Sequence, residues 1–203
     1  MSQTVEWQAL EHPDPSVRLR AALAVGTAGA DLDTEEVTDR LIERCAIEPD
    51  FFVRDMLTWA LCRQPADVTV PKLLKELDSD VIQARSQALH TLSKIGDGRA
   101  WPFVSTMLHE DDDEVARTAW RAAVALVPAD AVDSLAADLA TEFGRGTDEV
   151  RRSLSRALIG LGQPGRDVAQ ARLTHPVAAV ADHAAATIRL FDDPDSGFAD
   201  AHR

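Results

Sequence analysis

The sequence predicts an all-α fold, a stack of about six helix pairs, and three observations lead to that prediction. The composition favours helix, because Ala, Leu and Arg are abundant, only 5% of the residues are aromatic and Tyr is absent. Apolar residues recur at helical spacing in a series of short segments. These segments recur at intervals of 36, 31, 31, 35 and 30 residues, and a period of that length is typical of repeat arrays.

Residues 80–104 contain one complete repeat. The apolar residues of its helix are spaced by four, four and three positions, so they form one stripe that must be buried. These residues are Ala84, Ala88, Leu92 and Ile95. Gly96 is a typical stop after that helix, and Pro102 suits the first turn of the next one, where a missing N–H costs little. The segment therefore predicts a helix, a tight turn and a second helix.

Each predicted pair has a second helix that begins near one anchor, the first core position of that helix. The anchors are Val17, Val53, Ala84, Val115, Val150 and Val180. The second helices are predicted at 16–29, 51–64, 81–95, 115–127, 150–162 and 178–191. The first helices are predicted at 4–10, 34–47, 68–77, 100–108, 129–143 and 167–173. The sequence thus predicts one repeat domain over 1–191, followed by an acidic tail without periodicity over 192–203.

The repeated pattern resembles that of HEAT-repeat proteins. The likeness rests on Asp-x-x-Val-Arg followed by Ala or Leu four residues later, and on Ile-Gly-Asp-Gly-Arg-Ala-Trp-Pro at 95–102. It covers about residues 4–191 and is nearest to the short bacterial variety also found in phycobilin lyase subunits. The resemblance implies a right-handed α/α superhelix, armadillo-like in outline, whose second helices line the concave face. It also implies a scaffold function, although HEAT arrays include lyase subunits and a class of DNA glycosylases.

The overall composition predicts a cytoplasmic protein that needs no metal or cofactor. The N-terminal residues lack the basic and apolar regions of a signal peptide, and no apolar run is long enough to span a bilayer. Cys45 and Cys62 show no metal-ligand spacing, so both are predicted to be reduced and buried. The net charge of −13 disfavours nonspecific binding to nucleic acid or to anionic membranes.

Basic residues are concentrated in the predicted second helices. Those six segments contain twelve basic and two acidic residues, a net charge of +10. The remaining nine basic and 32 acidic residues give the rest of the chain a net charge of −23. We therefore expect a basic concave groove inside an acidic shell, with a local potential that attracts anionic groups.

Helical phase divides the charged residues into two sets. One residue after the anchor stand Arg18, Arg54, Arg85 and Arg151, which are predicted to pair with acidic residues such as Asp14, Asp50 and Asp148. Two and six residues after the anchor, side chains point away from the core. These positions hold Asp55 and Trp59, Ser86 and His90, Arg117 and Arg121, and Arg152 and Arg156, with Leu89 and Trp120 one residue aside.

The second set predicts a binding surface, since exposed Trp and Arg together are typical of binding hot spots. The candidate binding residues are Trp59, His90, Arg117, Trp120, Arg121, Arg152 and Arg156. We expect a non-catalytic scaffold whose groove holds an acidic or phosphate-bearing partner, and a protein or peptide is the favoured partner. The pattern does not predict the oligomeric state.

Two other functions stay open at this point. A DNA glycosylase of the HEAT type would use Asp55 as its catalytic carboxylate, with Trp59 and Trp120 on the sugar or base. A ligand-sensing regulatory module is the other, because residues 48–61 and 83–97 resemble segments that follow MerR-like DNA-binding domains in bacterial regulators.

Three further motifs are interpreted as structural. Residues 160–165 fit G-x-G-x-x-G but close a helix instead of following a strand, which predicts a turn between repeats. The acidic run 109–114 lacks the Gly and the ligand spacing of a calcium loop and is predicted to supply helix N-caps. His12 and His175 both precede Pro, as expected of residues in turns.

Overall fold

The computed structural model describes residues 7–28 and 33–194, and within these ranges the chain forms α-helices and short 3-10 helices but no strand. The predicted all-α class is confirmed. The α-helices are α1 Pro15–Ala28, α2 Thr34–Ile47, α3 Phe51–Cys62, α4 Ala66–Glu76, α5 Ile82–Ile95, α6 Trp101–Val104, α7 Asp113–Leu126, α8 Val132–Leu139, α9 Asp148–Gly160, α10 Gln163–Gln170 and α11 Ala178–Asp192. The 3-10 helices are Trp7–Glu11, Gly98–Ala100, Ser105–Met107, Ala129–Ala131 and Ala140–Glu142.

The odd-numbered helices are the predicted second helices, and each begins and ends within two residues of its predicted bounds. The apolar stripe explains this agreement, because the anchors Val53, Ala84, Val115 and Val150 are all buried. The succession of helix pairs, which the resemblance to HEAT repeats implies, is confirmed for the described residues.

The first helices are less regular than predicted. α2 has the predicted bounds, whereas α10 begins at Gln163, four residues early. The predicted helices 100–108 and 129–143 are each a short α-helix between 3-10 turns, which tighten helix ends that have few internal hydrogen bonds. Of the predicted helix 4–10, the described part is a 3-10 helix, Trp7–Glu11. Most of the predicted tail lies outside the described residues.

Aspartates begin several of the helices. Asp33, Asp50 and Asp112 precede α2, α3 and α7, and each side chain accepts hydrogen bonds from backbone N–H groups of the first turn. Asp112 confirms that the acidic run supplies an N-cap. At the other end of a helix, Gly96 takes φ 72° at the C-cap of α5, a conformation that favours glycine, as the predicted stop requires.

The predicted turns also have their expected chemistry. His12 Nδ1 accepts a hydrogen bond from the N–H of Asp14 at 3.0 Å, and His175 Nδ1 accepts one from Val177 at 3.2 Å. The glycine motif joins α9 to α10, with Gly162 at φ 68°. These segments are turns between helices, as predicted.

The chain divides into two compact units, Met1–Ala100 and Trp101–Arg203, here called unit 1 and unit 2. In unit 1, α3 packs against α1, α2 and α5, and α4 packs against α2 and α5. Its core includes Leu41, Leu57, Leu61 and Leu92, all fully buried. The predicted extent of the repeat domain, residues 1–191, stays a prediction.

In unit 2, α9 packs between α7 and α11, and α10 packs against α8, α9 and α11. Two contacts fix the register of α7 and α9. Arg117 Nε donates to Ser153 Oγ at 3.0 Å, and Gly160 lies against the Val124 side chain. Both contacts have an offset of 36 residues, so the two helices run parallel with matching ends.

The two cysteines differ in environment. Cys45 is buried as predicted, and burial raises the pKa of its thiol to about 12. The prediction that Cys62 is buried is wrong, since its side chain is exposed. Cys62 lies nine residues after Val53, about half a turn away from the buried stripe of α3.

No helix in the described part of the chain is both long enough and apolar enough to cross a membrane.

Candidate binding surfaces

The arginines one residue after the anchor have structural roles, of which Arg18 shows the fullest set of contacts. Its side chain is buried, and its Nε and Nη2 donate to the carboxylate of Glu48 at 2.7 and 2.6 Å. Its Nη1 donates to the carbonyls of His12 and Pro13 at 2.8 and 2.9 Å. Arg18 therefore joins α1 both to the turn before it and to the end of α2.

The same contact recurs in the next repeat. Arg54 Nη1 donates to the carbonyls of Glu48 and Pro49 at 2.9 and 2.8 Å, the residues six and five positions before it, as in Arg18. The predicted pairing with Asp14 and Asp50 is wrong, because each of these aspartates caps the start of its own helix. The predicted pairing with Asp148 is present, since Arg151 Nη1 lies 4.0 Å from Asp148 Oδ1. Arg18 and Arg54 thus bind backbone carbonyls of the turn that precedes their own helix.

Trp120 does not belong to a surface. Its side chain is fully buried, and its Nε1 donates to the carbonyl of Leu108 at 2.9 Å. The prediction that Trp120 contacts a partner is therefore wrong. The physical reason is that α7 is buried on most of its circumference, since Ala116, Ala119 and Ala123 let neighbouring elements approach closely.

α5 is also buried over a wider face than predicted. Ser86 and Leu89 were expected at the groove but are buried, and His90 is half-buried. A helix that packs against α2, α3 and α4 buries more than one stripe. The sequence period alone marks the centre of the buried face but not its width.

Trp59 keeps an exposed edge, with 37% of its surface accessible. Its ring packs onto Gly26 of α1 so closely that a Cβ at Gly26 would lie 2.4 Å from a ring carbon. The guanidinium of Arg63 lies 5.2 Å from the ring centroid, and Arg63 Nε donates to the Gly26 carbonyl at 2.7 Å. Trp59 is thus held in place from two sides, with one edge towards solvent.

The predicted arginines of unit 2 lie on two parallel helices, and we call them the arginine row. They are Arg117 and Arg121 on α7, and Arg152 and Arg156 on α9. Arg117 is occupied, because its Nη2 pairs with Glu149 at 2.9 Å in addition to the bond to Ser153. Arg121, Arg152 and Arg156 are exposed.

Arg121 and Arg156 form no salt bridge with any residue in 7–28 or 33–194. Arg121 Nη2 donates only to Thr118 Oγ1, at 3.0 Å, and Arg156 forms no side-chain hydrogen bond within those ranges. Partial burial lowers the pKa of Arg121, and the nearby positive charge of Arg117 lowers it further. The carboxylate of Glu114 raises this pKa, but by less.

The register of the helices brings these two arginines to nearly the same height. With the offset of 36 residues, Arg121 is level with Ala157, the neighbour of Arg156. Two guanidinium groups without carboxylate partners thus stand on adjacent helices. Such groups can donate paired hydrogen bonds to carboxylate or phosphate oxygens.

The charge of the second helices is less uniform than predicted. α7 and α9 begin earlier than expected and so include acidic residues in their first turns: Asp113, Glu114, Asp148 and Glu149. Acidic residues are favourable there because the helix N-terminus carries partial positive charge. Charge therefore changes along each helix, from an acidic first turn to a basic middle.

His109 bridges two carboxylates instead of serving a metal. Its Nδ1 lies 2.6 Å from Glu142 Oε1, and its Nε2 lies 2.9 Å from Asp138 Oδ1. The hydrogen bond with Glu142 is the main factor that raises the pKa of His109. No group of three or more His, Cys, Asp or Glu residues in the described ranges has an arrangement that could hold a metal ion.

A buried Ser–His pair in unit 2 was not predicted. His183 Nδ1 accepts a hydrogen bond from the N–H of Gly144 at 3.0 Å, so the ring proton is on Nε2, which lies 2.9 Å from the Arg151 carbonyl. Ser155 Oγ lies 3.2 Å from the same Nε2. A nitrogen that carries the proton cannot activate a serine, so the pair joins α9 to α11 and has no catalytic geometry.

The glycosylase alternative loses one of its components. Asp55 is exposed at the second position after the anchor of α3, as predicted, and Trp59 lies one turn further on. Trp120, the second aromatic group that the alternative requires, is buried. The remaining pair provides a carboxylate beside one indole edge.

Neither protein-family models nor curated proteins match this chain. Among solved structures, an engineered protein has a TM-score of 0.49 at 18% identity, with 94% of this chain and 97% of that chain covered. A designed armadillo repeat protein has a TM-score of 0.44 at 15% identity, covering 91% and 98%. Human deoxyhypusine hydroxylase in complex with glycerol has a TM-score of 0.45 at 18% identity, covering 92% and 72%. Similarities this distant give no basis for a shared function.

Proposed function

We propose that the protein is a non-catalytic binding module, and that the arginine row of unit 2 holds a protein or peptide through acidic or phosphate groups. The observation that carries the proposal is the pair Arg121 and Arg156, which are exposed and form no salt bridge within the described residues. An arginine of this kind can bind a partner without first breaking an intramolecular ion pair.

The environment of the row supports binding. Arg117 is held by Ser153 and Glu149, so the base of the row is fixed before a partner arrives. α7 is buried on most of its circumference, which makes the scaffold beneath Arg121 rigid. Rigid, preorganised donors lose less conformational entropy on binding than flexible ones.

The size and sign of the surrounding charge favour a short acidic segment over nucleic acid. Glu114 and Glu149 flank the row, and the whole chain has a net charge of −13. A continuous phosphate backbone would meet these carboxylates, whereas a peptide with one or two acidic side chains would reach only the arginines.

Fluorescence anisotropy with two labelled peptides, one rich in Glu and one carrying phosphoserine, tests the proposal. The unchanged protein should bind at least one of them, and binding should weaken as salt is raised. The double variant Arg121→Glu, Arg156→Glu should bind at least about tenfold more weakly, because each charge-assisted hydrogen bond contributes about 1.5–3 kcal/mol.

A matched control is the double variant Lys75→Glu, Arg172→Glu, which changes the net charge equally. Both residues lie outside the second helices, and neither forms a salt bridge with the described residues. If both double variants weaken binding equally, the peptides respond to net charge alone and the arginine row is not the site.

A further inference from the structure

Unit 1 exposes a second surface of different chemistry at the turn between α2 and α3. Five large apolar side chains there have between 45% and 70% of their surface accessible. They are Ile47, Phe51, Phe52, Val81 and Ile82, and we call them the apolar patch. Contiguous exposed apolar residues of this number are unusual outside interaction sites.

A pair of hydrogen bonds makes these residues one surface. Gln83 Nε2 donates to the carbonyls of Cys45 and Glu48 at 2.8 and 2.9 Å, which holds the first turn of α5 against the end of α2. Val81 and Ile82 immediately precede Gln83. The other three members of the patch lie within four residues of Glu48 on either side.

The patch is firmly built. The rings of Phe51 and Phe52 lie edge to face, 5.7 Å apart, and Asp50 caps the helix on which both stand. Arg54 is bound to the carbonyls of Glu48 and Pro49, and its guanidinium lies 6.0 Å from the Phe51 ring. A preformed apolar surface binds a partner with little ordering cost.

Three exposed aspartates lie close to members of the patch in the sequence. Asp55 lies one helical turn after Phe51, and Asp78 and Asp80 lie just before Val81. All three are exposed, and their side chains form no salt bridge or hydrogen bond with the residues that the structure describes. The apolar patch therefore has an acidic rim formed by these three aspartates, while Arg54, whose guanidinium lies near the Phe51 ring, is bound to backbone carbonyls.

We infer that the apolar patch docks an amphipathic helix of a partner protein that has large aliphatic side chains on one face and Lys or Arg at the edges of that face. The apolar face would cover the exposed rings, and the basic edges would meet Asp55, Asp78 and Asp80. A second copy of this chain fits less well, because it would bring another acidic rim against the first. This surface differs in charge and in unit from the arginine row.

Anisotropy with the full chain and a labelled helical peptide of Leu and Lys, with Leu at positions i, i+3, i+4 and i+7, tests the inference. A peptide with Glu in place of every Lys is the matched control. The Leu–Lys peptide should bind, and the Leu–Glu peptide should bind at least about tenfold more weakly. Equal binding of the two peptides, or no binding of the first, overturns the inference.

Variants of the patch and of its rim test whether the Leu–Lys peptide binds there. Phe52→Ser with Ile82→Ser, and separately Asp78→Asn with Asp80→Asn, should each weaken binding of the Leu–Lys peptide at least about threefold, and together at least about tenfold. Leu23→Ser, a control on α1 where the side chain is 42% exposed, should leave it unchanged. Circular dichroism checks that each variant keeps its helices.

Sedimentation of the unchanged protein and of the Phe52→Ser, Ile82→Ser variant shows whether a second copy of this chain, instead of a partner helix, covers the apolar patch. If the unchanged protein self-associates and the variant is monomeric while neither binds the Leu–Lys peptide, a second copy covers the patch and the inference is wrong. A monomeric unchanged protein that binds the Leu–Lys peptide supports it.

Discussion

Glu48 is the residue on which the contacts at the α2–α3 turn converge. Its buried carboxylate accepts hydrogen bonds from Arg18, from Arg44 and from the N–H of Asp50. Burial by itself would raise the pKa of Glu48, but these hydrogen bonds outweigh burial and hold that pKa at about 2. Arg18, Arg44 and the carboxylate of Glu48 are all paired, so removing one of them would leave a charge without its partner in the protein interior.

Replacing Glu48 by Gln should lower the free energy of unfolding by about 3–5 kcal/mol, because Arg18 would keep a buried charge without its partner. Glu36→Gln, in the exposed pair with Arg40 at 2.9 Å, should change that free energy by less than about 1 kcal/mol. Urea denaturation at neutral pH measures both. Similar small effects for the two variants would contradict the role given to Glu48.

The carboxylate of Glu48 makes the free energy of unfolding depend on pH. Its pKa in the folded state is about 2, below the value of 4.5 that an unperturbed Glu has. The stabilisation it provides is therefore complete above about pH 4.5 and is lost as the pH falls towards 2. In Glu48→Gln the slope of unfolding free energy against pH between those values should be smaller than in the unchanged protein.

The pKa values of two histidines in unit 2 depart from the ordinary value in opposite directions. Burial lowers the pKa of His183 to about 4, while hydrogen bonding to Glu142 raises that of His109 above 6.5. NMR of the ring nitrogens should find His183 neutral, with its proton on Nε2, throughout the range from pH 7 to about 5. A His183 that becomes charged near pH 6.5 would contradict the buried Ser155–His183 contact.

By linkage, His183 also weakens the folded state in mild acid. The unfolded chain takes up a proton at this ring below about pH 6.5, whereas the folded chain does so only near pH 4. Stability from the neutral ring is present above pH 6.5 and is lost as the pH falls from there to about 4.

At the scale of elements, the junction of α9 and α10 depends on one small residue. A Cβ at Gly165 would lie 1.9 Å from the carbonyl oxygen of Leu158, so only glycine lets the two helices approach this closely. The motif 160–165 is thus used for helix packing, which agrees with its interpretation as a turn between repeats.

Gly165→Ala should lower the free energy of unfolding by about 3 kcal/mol or more, since the new methyl group meets backbone and not a flexible side chain. Gly98→Ala is the control, because a Cβ at Gly98 meets nothing within 4 Å and its φ is not in the left-handed region. Thermal or urea denaturation gives both values. Equal stability of the two variants would show that α9 and α10 can separate without cost.

Which elements the sequence predicts well depends on how much of each helix is buried. The odd-numbered helices have one regular apolar stripe, and their ends were predicted within two residues. The segments around α6 and α8 are too short for a clear period and contain 3-10 turns. The prediction that Trp120 is exposed fails for a different reason. The Ala-rich α7 has neighbours on most sides, so it buries positions outside its apolar stripe.

The site was predicted only in part. Arg121 on α7 and Arg152 and Arg156 on α9 are exposed, as their phase predicts. Phase could not show that Arg117 binds Glu149 and Ser153, since those contacts depend on the register between α7 and α9. The apolar patch was missed because Phe51, Phe52 and Val81 lie at helix starts, where the stripe rule does not distinguish buried from exposed residues.

At the scale of the whole molecule, a net charge of −13 conceals local differences of sign. Unit 2 has an arginine row in which Arg121 and Arg156 form no salt bridge with the described residues, and unit 1 has an apolar patch with an acidic rim. Surfaces of opposite character on one chain are suited to a scaffold that holds two different partners.

Binding of acidic or phosphate groups by the arginine row is tested most directly by NMR, with the arginine Nε–H signals followed while the Glu-rich or the phosphoserine peptide is added. If the arginine row is the site, the signals of Arg121 and Arg156 should shift with saturation, whereas those of Arg18 and Arg44, already bound to Glu48, should stay in place. If peptide binding leaves Arg121 and Arg156 unchanged, or shifts only arginines outside the row, the proposed site is contradicted.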